Sequence, residues 1–572
     1  MKHSKIPVAQ SIVSLCLSKG ITQVVISPGS RNAPLTIEFT KNSAIKAYSI
    51  VDERCAAFFG LGIAQQTRKP VALVCTSGSA LLNYYPAIAE AFYSDIPLVV
   101  ISADRPVERI DIGDGQTIRQ KNVFENHIMY SANLYSEIVP VETITDKHLN
   151  QKIVESRRHN EQEINKALNM AIEHSGPVHI NVPFYEPLYE MIEEKTVTPI
   201  HVAPRPIEQE ITDIALQPFV DIWNTSSRKM ILVGVNPPNV LDKEIIHWLG
   251  ADPSVIVFTE TTSNIEHPDF FTRIDNMIGS LDDDGFKQLQ PDILLTFGGM
   301  IISKKIKSFL RNYQPKHHWH IDVKKAYNTY FCLNKHFKLT PNVFFNSIIP
   351  ALSQSISEYK IHWLAIRTKR DQLHTSYIEQ MPWCDFKAFN HILSSIPNHS
   401  MLQIGNSSAV RYAQLFKINK TFSVYCNRGT SGIDGSTSTA IGAAVAIQLP
   451  TTCITGDLSF FYDSNALWND YIPPNFKIIV INNSGGGIFR ILPNRDKNTD
   501  NFDTFFETTH QLTAKELCAM YGFNYLKATN EEECIIAKDK LYASNRQPTL
   551  LEIFTPRKIN DEVLLNYFKH IK

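Results

Sequence analysis

Short apolar runs that end in clusters of Gly, Ser, Asp or Asn constrain this chain more than any other feature. Near the N-terminus Ile21–Ile26 runs into SPGS, Val71–Cys75 into TSGS, and Leu98–Ile101 into SADRP. A helical pattern, Ala80–Tyr93, lies between the last two. Strand, polar turn, helix, strand is the pattern of a parallel sheet covered by helices on both faces. It returns near the other end: Met401–Ile404 runs into GNS, Ser423–Cys426 into NRGTSG, Thr452–Thr455 into GDLS and Lys477–Ile481 into NNSGGG, with Leu550–Phe554 a further strand. In open α/β sheets ligands bind beyond the carboxyl ends of the strands, where both halves of this chain place their Gly, Ser, Asp and Asn residues.

The middle is also α/β, with strands expected at Lys229–Val235, Asp292–Phe297 and Trp319–Val323. Two polar connections flank it. One, from Glu186 to about Ile211, is rich in Pro and Glu; the other, Ser353–Asp385, carries a charged helical pattern. With 572 residues, several domains are expected rather than one core. The formal net charge is −1 without long like-charge blocks, which argues against a nucleic-acid or anionic-membrane partner. Affinity for acidic ligands must be local, built from a few arginines. Nine scattered cysteines without a CxxC pair read as reduced thiols of a cytoplasmic protein, not a disulfide framework or zinc site. Val8, Ile12, Leu15 and Cys16, closed by Gly20, read as an amphipathic first helix rather than a signal peptide. No apolar stretch is long enough for an integral membrane segment.

The segment Thr455–Phe489 carries the most chemistry. A strand ends in Gly456-Asp457, a helix crosses, and the next strand ends in Asn482-Asn483 with three glycines close behind. This sets a carboxylate and a carboxamide at neighbouring strand ends, beside carbonyls freed by the glycine turn. Such an all-oxygen set suits Mg²⁺, which needs phosphate oxygens to complete its octahedron. Gly456 lets the backbone approach a diphosphate closely.

The pattern resembles the thiamine-diphosphate motif, GDG followed after a spacer by NN, although Leu458 stands where the motif has its second Gly. The resemblance implies that Asp457, Asn483 and the Gly485 carbonyl bind Mg²⁺ (or Mn²⁺), and that Gly456, Leu458 and Ser459 lie against the cofactor. Thiamine activation also needs a carboxylate facing the aminopyrimidine, a general acid–base role exercised through the cofactor. In this superfamily that Glu lies at a strand end of the pyrimidine-binding domain and acts across a subunit interface. Glu53, in SIVDERCAAFFGLGIA, fits as the catalytic residue; the alternative is a helix-start carboxylate that satisfies orphan amides. Ile433 in TSGIDG is the candidate prop for the bent cofactor, or else a core residue at a turn.

Longer motifs narrow the resemblance. SPGSRNAPL (Ser27–Leu35), DERCAAFFGLGIA (Asp52–Ala64), TSGSALLNYYPA (Thr76–Ala87), ADRP (Ala103–Pro106), GQTIRQ (Gly115–Gln120), GNSSAVR (Gly405–Arg411) and NRGTSGIDG (Asn427–Gly435) are similar, in order, to the 2-succinyl-5-enolpyruvyl-6-hydroxy-3-cyclohexene-1-carboxylate synthases, the MenD family. The match is weak only across the middle. It implies an α/β chain of three domains, with two outer thiamine-diphosphate-binding parallel-sheet domains (pyrimidine, 1–185, and diphosphate, 353–572) flanking a central α/β domain (186–352). It implies decarboxylation of 2-oxoglutarate and a Stetter-like 1,4-addition of the succinyl carbanion to isochorismate, in menaquinone biosynthesis. It also implies a homodimer or a dimer of dimers.

Both substrates are dicarboxylic acids, and arginine pairs bidentately with carboxylates. By resemblance Ser30, Arg31, Arg105, Gln116, Ser407, Arg411 and Arg428 contact substrates or intermediate. Lys304 joins them in preference to Lys305, and Ile488 and Phe489 shield the reacting carbon from water. Each Arg has the plainer reading of a surface ion pair. Gln116 could close a turn, and Ser407 could cap a helix or bind the diphosphate. The arginine set separates this reading from an acetolactate-synthase-like carboligase or a simple decarboxylase, whose acceptors are smaller or more apolar. A nucleotide-binding protein without chemistry would need a GxGxxG after a strand, which the chain lacks even at Gly234. An inactive paralogue would not be expected to keep Glu53 and the metal set intact.

Overall fold

The computed structural model describes residues 2–136, 147–205, 211–353, 356–491, 497–543 and 546–572. Among these, three all-parallel sheets account for nearly every strand. The first runs Lys46–Ser49, Gln23–Ile26, Val71–Cys75, Leu98–Asp104, Val178–Pro183, Tyr130–Asn133. The central sheet runs Val255–Thr259, Lys229–Val233, Ile293–Phe297, His317–Ile321, Leu333–Phe337. The last runs Ser423–Tyr425, Met401–Ile404, Thr451–Gly456, Lys477–Asn482, Thr549–Phe554, Asn524–Ala528. A two-stranded antiparallel pair, His3–Ser4 with Met191–Ile192, stands apart.

The first and last sheets share one strand order: in each, the second strand lies outside the first, the third and fourth follow on the other side, and the sixth precedes the fifth. Both therefore reverse direction between their first and third strands. That is the switch point where a crevice opens beyond the carboxyl ends. In the first sheet these ends lead into SPGS and TSGS; in the last they lead into GNS and GD.

The chain divides into two compact units. One comprises 1–207, 429–448 and 462–473; the other comprises 208–428, 449–461 and 474–572. In the first unit, helix Glu53–Thr67 packs against helix Ser436–Ile447 with almost no gap. A Cβ on Gly62 would stand 2.1 Å from the Thr439 carbonyl oxygen, and one on Gly442 would stand 2.0 Å from that of Phe59. In the second, the charged stretch after Ser353 forms helix Tyr359–Gln380. It is more than a polar connection: Tyr359, Trp363, Arg370, His374 and Ile378 are buried. The Tyr359 hydroxyl donates to the Leu289 carbonyl at 2.5 Å, and His374 Nδ1 lies 2.8 Å from the Tyr567 hydroxyl.

The first helix, Pro7–Ser18, is less amphipathic than its sequence suggests, because Pro7 to Val13 are all buried. Gln10 is accommodated by hydrogen bonds: its Nε2 donates to the Ser4 carbonyl at 2.6 Å, and its Oε1 accepts from the Thr196 amide at 2.9 Å. The expected helix Ala80–Tyr93 is broken at Tyr84 into Ser79–Asn83 and Tyr85–Ser94. No helix among the described residues is long and apolar enough to cross a membrane.

Candidate active site

At the switch point of the last sheet, Asp457 follows strand Thr451–Gly456 and is buried. Its Oδ1 accepts the Leu458 amide at 2.7 Å and its Oδ2 the Gly485 amide at 3.0 Å. On the adjoining strand the two asparagines part company. Asn482 is structural, with its Nδ2 donating to Glu552 Oε1 at 2.7 Å and to the Leu512 carbonyl. Asn483 points the other way, its Nδ2 donating to Asp385 Oδ2 at 2.8 Å. The glycine turn that follows is clamped. Ser484 has φ +64° and Gly485 φ +152°, and a Cβ on Gly485 would press to 2.7 Å from the Glu507 carbonyl oxygen. That position is closed to other residues. Glu507 is itself fully buried, and accepts from Nε and Nη2 of the Arg490 guanidinium, each at 2.6 Å.

Two residues at this point escaped the sequence reading. His510 Nδ1 accepts the Leu512 amide at 3.1 Å, and its Nε2 lies 3.2 Å from Asp457 Oδ2. Nε2 is buried and makes no hydrogen bond there. Asp385 is buried at the start of helix Asp385–Ser395, and burial raises its carboxyl to about 6 against the hydrogen bonds from Thr555 and Asn483.

This arrangement suits a hard divalent cation with a diphosphate. Asp457 offers carboxylate oxygens, and Asn483 has committed its nitrogen end elsewhere. Around Gly456 the space where a Cβ would stand is open. Mg²⁺ or Mn²⁺ would be held by Asp457, Asn483 Oδ1 and the Gly485 carbonyl. Leu458 is half-buried and Ser459 buried beside them. Ser407 has φ +67° and stands at the N-cap of helix Ser408–Ala413 without a side-chain capping bond, so capping does not explain it. Ile488 and Phe489, both half-buried, open the short helix after the glycines.

Beyond the carboxyl end of the first sheet's edge strand, Lys46–Ser49, helix Glu53–Thr67 is capped by Asp52, whose Oδ1 accepts the Cys55 amide at 3.1 Å. The capping role therefore belongs to Asp52. Glu53 is left half-buried, its carboxyl raised above the ordinary range by burial, against a hydrogen bond from its own backbone amide, with the charge of Asp52 adding a smaller push. Glu53 acts electrostatically on the Cys75 thiol and the Tyr84 hydroxyl, both of which are raised mainly by burial. Ile433 is 39% exposed, which excludes the core reading.

Arg31 and Arg105 come together in the first unit; burial and then the charge of Arg105 lower the Arg31 guanidinium. Arg31 donates to the Phe184 carbonyl at 3.2 Å and pairs with the exposed Glu186 at 3.1 Å. Arg105 donates to Thr117 Oγ1 at 2.8 Å and the Gly115 carbonyl at 2.7 Å. Ser30 and Gln116 are exposed. Gln116, at φ +54°, does shape a turn: its carbonyl accepts from Ser77 Oγ at 2.8 Å.

In the second unit Arg411 is lowered by burial and then by Arg428, with Asp275 and Glu260 opposing. Arg428 donates to Asn406 Oδ1 at 2.7 Å. Glu260 is buried near the pair; its carboxyl is raised to about 7 by burial, although it accepts the Ile302 and Ser303 amides. Lys304 is exposed on the first turn of helix Lys304–Asn312. The lysine coupled to Arg411 and Arg428 is Lys307, one turn on. Lys305 instead lies over the Phe568 ring at 3.4 Å.

The two outer sheets lie in segments that are similar to domains of known proteins. Residues 6–131 match the thiamine pyrophosphate enzyme N-terminal TPP binding domain, and 403–553 match the C-terminal TPP binding domain. Three relatives bear the name 2-succinyl-5-enolpyruvyl-6-hydroxy-3-cyclohexene-1-carboxylate synthase. Those of Christiangramia forsetii and Flavobacterium psychrophilum are 62% and 55% identical over the full length of both chains. That of Porphyromonas gingivalis is 37% identical over 98% of this chain and 96% of its own. Two matched TPP-binding sheets and end-to-end identity at this level place the chain in the 2-succinyl-5-enolpyruvyl-6-hydroxy-3-cyclohexene-1-carboxylate synthase family of thiamine-pyrophosphate enzymes.

Proposed function

We propose that the protein decarboxylates 2-oxoglutarate and joins the remaining four-carbon acid to isochorismate by 1,4-addition. The observation that carries this reading is the division of labour between the carboxyl ends of two sheets that share one strand order. One presents Glu53, freed from capping by Asp52; the other presents the oxygen set of Asp457, Asn483 and Gly485. Thiamine diphosphate, when bound, supplies the electron sink for loss of CO₂ and the nucleophilic carbon for the new bond. The chain does the rest. Glu53 holds or gives up a proton at the aminopyrimidine ring, and burial, by raising its carboxyl, favours the proton-holding form of that exchange. Asp457, Asn483 and the Gly485 carbonyl hold Mg²⁺ or Mn²⁺ against the diphosphate, with Gly456, Leu458, Ser459 and Ser407 alongside.

Arg31, Arg105, Arg411 and Arg428, with Ser30, Gln116, Lys304 and the neighbouring Lys307, orient the carboxylates of the two acids. Pre-positioning of this kind accounts for much of the rate gain in bimolecular chemistry. Ile488 and Phe489 keep water from the reacting carbon, and Ile433 supports the cofactor. The working division is 1–185, 186–352 and 353–572. The protein acts in the cytoplasm, as the free thiols suggest, and as a homodimer or dimer of dimers in which Glu53 serves the partner's cofactor.

The test mixes protein, thiamine diphosphate and Mg²⁺ with 2-oxoglutarate alone and then with isochorismate, reading products by mass spectrometry. An adduct that needs both acids and disappears in Glu53→Gln is expected. Decarboxylation indifferent to isochorismate would overturn the acceptor assignment.

A further inference from the structure

The chemistry of a carboxamide poses a problem at Asn483 that its own backbone does not solve. Its side chain has an oxygen end and a nitrogen end of nearly equal size, and only the oxygen can ligate a cation. From the geometry around it we infer that Asp385 is the positioning residue that selects the oxygen end, an inference that rests on the metal reading above.

Asp385 Oδ2 lies 2.8 Å from Asn483 Nδ2. A carboxylate has acceptors only, so it admits the nitrogen end and rejects the oxygen end. Asp385 is itself held on its other sides. Its Oδ1 accepts from the Thr555 hydroxyl at 2.5 Å, and its amide donates to Asn560 Oδ1 at 2.9 Å. Asn560 in turn donates from Nδ2 to the Pro556 carbonyl at 2.9 Å. From the opposite side the glycine turn closes in: a Cβ on Gly487 would stand 3.0 Å from Asn483 Nδ2. With Asp385 2% and Asn483 6% exposed, bulk water does little to scramble the choice. Asp385 thus plays toward Asn483 the part that a carboxylate plays behind a metal-bound histidine, where loss of the outer partner costs about 10–100-fold in metal affinity.

The experiment measures Mn²⁺ binding to the full-length protein with thiamine diphosphate, by electron paramagnetic resonance of the free ion. Circular dichroism and a thermal melt serve as folding controls. Asp385→Ala removes the acceptor and should weaken Mn²⁺ by about 10-fold or more. Asp385→Asn keeps an oxygen to receive the Asn483 amide, with its own nitrogen turned to the Thr555 oxygen, and should recover most of that affinity. In turnover, Asp385→Ala should raise the Mg²⁺ concentration for half-activation while leaving kcat at saturating metal close to wild type. An Asp385→Ala protein that binds Mn²⁺ like wild type would overturn the inference. So would an Asp385→Asn protein as weak as the alanine variant, because charge rather than orientation would then be the cause. A wild-type protein that takes up no Mn²⁺ with thiamine diphosphate would remove the metal reading, and the inference with it.

Discussion

Gly62 and Gly60 lie on one helix, two residues apart, and should respond unequally to alanine. In either place alanine gains about 1 kcal/mol of helix propensity. What the new methyl meets differs. At Gly60 the nearest atom is Leu73 Cδ2 at 2.5 Å, the movable end of a side chain. At Gly62 it is the Thr439 carbonyl oxygen at 2.1 Å, then the Ala443 amide nitrogen at 2.7 Å, both backbone of a neighbouring helix. Ordinary contact would require the helices to part by roughly 1 Å, and overpacking of this kind costs about 1–3 kcal/mol in well-packed interiors. With backbone as the obstacle the upper end applies, leaving Gly62→Ala about 2 kcal/mol less stable after the propensity gain. For a unit of this size that is a fall in Tm of roughly 4–8 °C, whereas Gly60→Ala should stay within about 2 °C of wild type. The same displacement tilts the helix that starts at Glu53, so kcat should fall in Gly62→Ala and hold in Gly60→Ala. Differential scanning fluorimetry and steady-state kinetics read both. A Gly62→Ala protein that melts with or above wild type and keeps its kcat would refute the reasoning.

Phe489→Ala should admit water to the reacting carbon and raise the yield of succinic semialdehyde relative to adduct; an unchanged product ratio by mass spectrometry would dismiss the shielding role. Arg428→Lys keeps the charge but loses the planar fork that reaches Asn406, and KM for one of the two acids should rise about 10-fold, against no change if the residue is only a structural ion. Burial raises the Glu260 carboxyl from 4.5 to about 7 in the folded protein, so the folded chain holds a proton that the unfolded chain has released. Stability should therefore fall as pH climbs from 4.5 to about 7, by up to about 3 kcal/mol, and Glu260→Gln should flatten that slope in urea titrations. An identical slope in the variant would assign the pH dependence elsewhere.

How legible the fold was depended on burial. Strands such as Val71–Cys75 and Lys477–Asn482 are covered on both faces and announce themselves as unbroken apolar runs. Tyr130–Asn133, Leu333–Phe337 and Asn524–Ala528 lie at sheet edges, half-exposed and mixed in composition, and do not stand out. Val255–Thr259 is fully buried and carries the apolar signal as plainly as Lys229–Val233, but the sequence reading did not single it out.

Proximity was legible where the residues sit in one segment, as with Asp457 and Gly485. It was not legible where tertiary packing imports a partner. Asp385 looks in sequence like any acid that opens a helix, and His510 sits in a loop without a pattern. Lys304 and Lys307 share a helix face three residues apart, so periodicity alone does not choose between them.

The division of the chain into units has a consequence for its synthesis. The backbone passes between the two at 207/208, 428/429, 448/449, 461/462 and 473/474. The helix that begins with Glu53 leaves the ribosome early, yet its backbone-to-backbone neighbour, Ser436–Ile447, is not translated until the chain is three-quarters made. At about 5–20 residues per second, that is a wait of roughly 20–80 s, during which the glycine-lined face of the helix has nothing to close against. The first sheet can pair its strands in that interval, but the seat of Glu53 is finished late. A nascent chain stalled before Ser436 should therefore carry a formed N-terminal sheet beneath an open, sticky helix face.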